Sequence, residues 1–188
     1  MIIVEPAVFE IVAFDGAEIA AQAAAIADVL GCADLLITIV IDEATPMTRS
    51  SIESVDPIVI GIEAGAIEDP RRIRHLQLDR LREVVSRQLL GALDRRDPRF
   101  ADADGDDRLS LSQRTAWDVH IAGRLHRLGF PVGRARWEHR FTLGHRPGPA
   151  TEVAFATLWD TDRLTWAQID AISAAVRPEP TATQRLVR

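Results

Sequence analysis

A chain of 188 residues, 47% apolar and 27% charged with a mean hydropathy of +0.00, has the composition of a soluble globular protein and is long enough to bury a core without crosslinks. Its single cysteine, Cys32, excludes an internal disulfide framework; with no His or Arg near it in sequence, it reads as a small buried hydrophobe. The net charge of -6 hides an asymmetry, because residues 1–69 hold 13 acids against Arg49 alone whereas residues 70–188 hold 15 acids and 21 arginines.

Such polarity suits two opposed layers within one domain, or a surface that meets a protein partner. Every basic residue is Arg and Tyr is missing, a bias expected of a GC-rich bacterial genome. The arginines are interleaved with acids, without a basic run carrying aromatic residues, which argues against nucleic-acid binding. The N-terminus lacks a basic n-region and no apolar run approaches the ~20 residues of a membrane span. The cytoplasm is therefore the expected compartment, without membrane association; composition does not set the oligomeric state.

In chain order, Ala7 to Phe14 is expected to form a strand and Gly16 to Leu30 an Ala-rich helix capped by Asp15. The β-branched run Leu35 to Ile41 suits a buried strand. A polar break follows from Asp42 to Ser51, then a further strand from Pro57 to Ile62. Gly65 and the start signal Glu68-Asp69-Pro70 are expected to open a helix with Pro in its first turn. Leu78, Leu81, Val85, Leu89 and Ala92 recur at three- and four-residue steps, so this long amphipathic helix buries one face and stops near Arg96, before Pro98.

The order helix, strand, strand, long helix over residues 7–97 resembles the core of the zincin-like metalloproteases, particularly the small bacterial ones. In those, the C-terminal part of the long helix carries H-E-x-x-H. Here Val84-Val85-Ser86-Arg87-Gln88-Leu89-Leu90-Gly91-Ala92-Leu93-Asp94-Arg95-Arg96 keeps the apolar frame, with Gly91 where the resemblance puts the first histidine, Ala92 at the glutamate and Arg95 at the second histidine. Zinc takes neutral imidazole or anionic ligands, and an arginine repels it. The resemblance therefore implies a zincin-like scaffold without peptidase chemistry.

The five histidines, His75, His120, His126, His139 and His145, contain no i, i+4 pair. His120 and His126 stand six apart on a predicted helix, on nearly opposite faces. Glu138, His139 and His145 would approach one metal only if the segment between them formed a hairpin. A stronger ion-binding pattern is Asp102-Ala103-Asp104-Gly105-Asp106-Asp107-Arg108-Leu109-Ser110-Leu111-Ser112-Gln113, which matches an EF-hand calcium loop with Asp102, Asp104 and Asp106 at positions 1, 3 and 5. It departs from that loop at position 6, Asp107 instead of glycine, and at position 12, where Gln113 cannot supply a bidentate carboxylate.

Ser110-Leu111-Ser112-Gln113 is equally an S-x-x-Q capping box, echoed by Thr165-Trp166-Ala167-Gln168, so two helix starts account for both strings. Between them a helix is expected from about Ser112 to Leu128, with Trp117, Ile121, Leu125 and Leu128 on one face. An irregular or hairpin segment follows from Pro131 to Pro149. Residues 149–159 and 165–176 read as closing helices, and Trp117, Trp137, Trp159 and Trp166 as packing residues.

The expected fold class is α+β: a short mixed β-sheet packed on a long amphipathic helix, with a helical C-terminal extension. Residues 1–97 form the core, 98–176 the extension packed on it and 177–188 a flexible tail. No phosphate-cradling glycine loop, nucleophile elbow or redox cysteine pair occurs. Asp42-Glu43 at a strand end is the remaining acid–base pair, and it reads as a turn cap as well. The function expected is binding by a non-catalytic scaffold. The opposing classes are a metal-dependent hydrolase using His139 and His145 with an acidic partner, and a weak calcium-binding protein. No cofactor is expected apart from calcium at Asp102, Asp104 and Asp106.

Overall fold

Isoleucines at every second position of two neighbouring strands set the core of the first half of the chain. In the computed structural model, which describes residues 1–105 and 108–178, the fold is α+β and divides into two compact units, residues 1–98 with 127–132, and residues 99–126 with the chain from Gly133. The first unit contains β1 (Ile2–Glu5), α1 (Gly16–Val29), β2 (Ile37–Asp42), β3 (Ser50–Val55), β4 (Ile58–Glu63), the two-stranded β5 (Glu68–Asp69) and β6 (Arg72–Leu76), and α2 (Leu78–Arg96). The main sheet runs β1-β2-β4-β3, with β1, β2 and β4 parallel and β3 antiparallel at the edge.

Ile37, Ile39 and Ile41 of β2 pair with Ile58, Ile60 and Ile62 of β4, and all six are at most 3% exposed. Each fully buried isoleucine contributes on the order of 1.5–3 kcal/mol of transfer free energy, which makes this double row the dominant local term. Helices α1 and α2 pack on each other and on the sheet, α1 against β1 and α2 against β3 and β4. Ile19, Ala23 and Ala27 of α1 and Leu81, Val85, Leu89 and Ala92 of α2 are fully buried, as their three- and four-residue spacing requires. Asp15 caps α1 by accepting the Ala17 amide at 2.8 Å. Cys32 is buried; burial, then Asp34 and Asp28, push its thiol pKa up.

Three expected elements of this unit differ. No regular strand forms over 7–14: the place beside β2 is taken by Ile2–Glu5, and Pro6, lacking an N–H, follows directly. Residues 7–14 run instead as bends, with Ala13 bridged to His75. The polar break ending at Ser51 hides part of β3, which reaches β4 through the two residues Asp56 and Pro57 and is clamped there by Arg96, whose guanidinium donates to the Val55 carbonyl at 2.6 Å and to Asp56 at 3.1 Å. The long helix starts at Leu78, not at Pro70. Residues 68–76 form the β5–β6 hairpin, and the Gln77 side chain caps α2 by accepting the Arg80 amide at 2.8 Å.

The second unit holds most of α3 (Leu111–Arg127), together with α4 (Arg134–Gly144), α5 (Pro149–Asp160) and α6 (Trp166–Val176). Helix α4 replaces the irregular segment expected over 131–149. Trp137 and Phe141, four residues apart and at most 1% exposed, give it a buried face. All four tryptophans are buried, and Phe100, Trp117 and Trp166 form one chain of ring contacts at 5.2 and 5.3 Å. Gly123 of α3 has no room for a side chain, because a Cβ there would meet the backbone of Trp159 on α5. The tail expected over 177–188 lies outside the described residues from position 179 onward.

Candidate functional site

The part of α2 that would carry catalytic groups in the resembled family is occupied by packing. Gly91 and Ala92 are buried, with Ala92 at 0% exposure. One turn earlier, the Gln88 amide and the Arg87 guanidinium both donate to the Ser50 hydroxyl, at 2.7 and 3.0 Å, tying the helix to the first residue of the edge strand. Chemically Ser50, Arg87 and Gln88 are one cationic and two neutral side chains, without a carboxylate or imidazole to act as a base.

In the 102–113 segment the capping reading is realised. The Ser110 amide donates to the Gln113 side chain at 3.0 Å and the Gln113 amide to the Ser110 hydroxyl at 3.2 Å. The second copy closes identically around Thr165 and Gln168, at 2.9 and 3.3 Å, with Leu164 and Ile169 buried on either side. Of the three calcium candidates, Asp102 is exposed, Asp104 lies 3.8 Å from the Arg108 guanidinium, and Asp106 falls outside the described residues. The Gly105 carbonyl accepts the amides of Arg108 and Leu109. Gln113 turns its amide nitrogen to Asp170 at 3.0 Å, bracing α3 against α6.

The histidines are dispersed. His120 is fully buried and His126 exposed, as a six-residue separation on one helix dictates. His139 is exposed, whereas His145 is buried at the end of α4, stacked on Phe141 at 3.9 Å. Both His145 nitrogens are used: Nδ1 donates to the Phe141 carbonyl at 2.9 Å and Nε2 accepts from the Ser173 hydroxyl at 3.0 Å. Burial lowers its pKa below the ordinary imidazole value, the Phe141 hydrogen bond opposes that shift and Arg177 adds to it. Among the described residues, no three His, Cys, Asp or Glu side chains converge so that they could hold a metal ion.

Asp42 and Glu43 serve as fasteners. Asp42 accepts the amides of Ala44 and Thr45 at 3.0 and 3.2 Å, and the Thr45 hydroxyl with these amides holds its carboxyl below the usual range, far from the near-neutral value that proton transfer favours. Glu43 accepts the backbone amides of Glu10 and Ile11 at 2.9 and 2.7 Å and of Val12 at 3.4 Å, which pins the 7–14 segment to the end of β2. A cleft in the second unit, over Phe141 and Phe155 with Glu138 and Glu152 at its rim, encloses about 160 Å³. That is below the roughly 300–1,000 Å³ of small-molecule sites.

The feature that sequence reasoning missed is the β5–β6 hairpin. Arg71, Arg72, Ile73 and Arg74 stand exposed on it, and Ile73 is 75% exposed. The Ala13 amide donates to the Arg74 carbonyl at 2.7 Å, which joins the end of the 7–14 segment to β6; within that segment Val8 is 75% and Ile11 42% exposed. The side chains of Arg71, Arg72 and Arg74 make no hydrogen bond or ion pair among the described residues. The signal was legible as three arginines around an isoleucine; reading the stretch as a helix would have spread them around its circumference. No family model, curated protein or solved structure matches this chain, and no described helix is long and apolar enough to cross a membrane.

Proposed function

We propose that this chain is a binding protein built on a zincin-like scaffold without peptidase chemistry. The observation that carries the reading is the inner turn of α2, where Gly91 and Ala92 are packed into the fold and Arg95 occupies the remaining motif position. A helix committed to packing at those positions supplies neither imidazole nor carboxylate to a divalent cation. The cleft of about 160 Å³ over Phe141 and Phe155 is smaller than typical sites for organic substrates, which also favours contact at the surface.

The test is the thermal midpoint of the purified protein in chelator and then in zinc. A ligand that binds only the native state at a hundred times its Kd stabilises it by about 2.7 kcal/mol. The expected result is an unchanged midpoint. A saturable rise with zinc, abolished by replacing His139 and His145, would instead favour the metal-dependent hydrolase.

A further inference from the structure

We infer that the β5–β6 hairpin, with the adjoining 7–14 segment, is a docking surface for a protein segment that presents an apolar side chain between carboxylates. This inference rests on the binding-protein reading and gives it a site and a partner class. Its first support is charge left uncompensated in an acidic neighbourhood. Residues 1–69 carry 13 acids, and Arg82 and Arg96 of the same unit are each matched to an aspartate, yet the side chains of Arg71, Arg72 and Arg74 have no partner among the described residues. Guanidinium groups held this way offer forked donors that match carboxylates bidentately.

The second support is the exposed apolar side chains on the hairpin and on the segment bonded to it. Val8 and Ile73 are each 75% exposed and Ile11 is 42% exposed, on two segments joined by the Ala13–Arg74 hydrogen bond. Ile73 offers apolar area to a partner's apolar side chain, with Arg72 and Arg74 on either side of it in sequence to meet carboxylates. The surface is also held in shape beforehand. Glu43 grips three amides of the 7–14 segment, Asp69 accepts the Arg71 amide at 2.9 Å, and Arg80 of α2 donates to the Glu68 carbonyl at 3.2 Å. Ordering costs on binding are correspondingly small. Arg74 stands at φ 65°, a left-handed conformation that glycine adopts freely and arginine at a cost.

A peptide fits this surface better than the other anionic macromolecules. A broad anionic membrane would face the whole protein, whose net charge is -6, whereas a narrow segment meets the hairpin alone. The hairpin carries no Phe, Tyr or Trp on which a nucleobase could stack, and its one ring, the half-buried imidazole of His75, is bonded to the Ile73 carbonyl at 3.1 Å.

The experiment is random-peptide display selected on the immobilised 188-residue chain, followed by fluorescence anisotropy of the consensus peptide on three hairpin variants and one control. The hairpin variants are Ile73→Asp, Arg74→Gly, and the combination Arg71→Ser, Arg72→Ser, Arg74→Gly. Phosphatidylserine vesicles and single-stranded DNA are measured in parallel. The expected consensus has Asp or Glu beside Leu, Ile, Val or Phe, and affinity falls roughly tenfold or more for Ile73→Asp and for the combined variant. Arg74→Gly separates binding from folding, because it should weaken binding while its thermal midpoint holds or rises. Val153→Asp, at a 67% exposed position of the second unit, should change nothing. Peptides that bind all the hairpin variants as well as the parent would overturn the docking surface and leave a binding protein with another site. Failure to select any peptide, with vesicles and DNA also unbound, would remove both readings, and hairpin-dependent binding to vesicles or DNA alone would overturn the peptide in favour of that partner.

Discussion

Protonation of His145 should be a measurable load on stability. The imidazole is 3% exposed, donates from Nδ1 to the Phe141 carbonyl, accepts at Nε2 from Ser173, and feels Arg177. The first cause of its depressed pKa is burial, which disfavours the charged form. With the folded pKa below the unfolded value of about 6.5, both states are neutral above that pH and the residue adds no slope. As pH falls below about 6.5 the unfolded chain takes up a proton that the folded one refuses, so stability drops until the folded pKa is passed. One proton limits the slope to about 1.4 kcal/mol per pH unit. Urea titrations of the parent and of His145→Gln between about pH 7.5 and 5 check this, since carboxylates titrate in both and cancel in the difference. The parent's advantage over the variant should be constant above about pH 6.5 and shrink below it. A difference that stays flat, or grows as the pH falls, would refute the argument.

Three further outcomes follow from the packing and capping. Gly65→Ala should cost about 1–3 kcal/mol in urea denaturation, because its Cβ would fall 2.6 Å from the Met47 carbonyl oxygen and close to the Pro46 carbonyl, both backbone atoms with little freedom to retreat. An unchanged midpoint would show that the loop moves. Thr165→Ala should cost about 1 kcal/mol by opening the capping box of α6, read the same way, and Thr165→Ser should restore most of it. Alanine at Asp102, Asp104 and Asp106 together should leave the thermal midpoint equally indifferent to calcium; a calcium shift in the parent that the triple variant loses would make the loop an ion site.

Legibility in the sequence tracked burial. Helix α1, strand β2 and the buried stripe of α2 could be read in advance because Ile19, Ile39 and Leu89 are fully buried, and complete burial imposes a period on the residues around them. Elements defined by their neighbours were hidden. The polar residues of β3 carry little strand preference, and they form one only because β4 offers a ladder. Helix α4 was masked by Gly and Pro at both ends, although Trp137 and Phe141 are spaced for one face. The capping boxes were fully visible, since a cap is local chemistry. The hairpin at 68–76 was not, because Glu68-Asp69-Pro70 is compatible with a helix start, whereas the residue that caps α2, Gln77, is not one of those that usually announce one.

The clamp between Arg96 and the β3–β4 turn makes the length of α2 a fixed quantity. The helix has 19 residues, so it reaches about 28 Å from Gln77, beside the hairpin, to the guanidinium that grips Val55 and Asp56. One residue inserted between Leu89 and Leu90 would turn everything beyond it by about 100° and advance it by about 1.5 Å. Arg96 would then point away from its turn, and Ala92 would leave the seam it shares with Leu89. The same insertion between Asp102 and Gly105 would only lengthen the link ahead of the Ser110 cap, which re-forms wherever its four residues travel together. Tolerance to insertion is thereby set by where an element is tied down at both ends, and α2 is a part of this chain whose count of residues cannot drift.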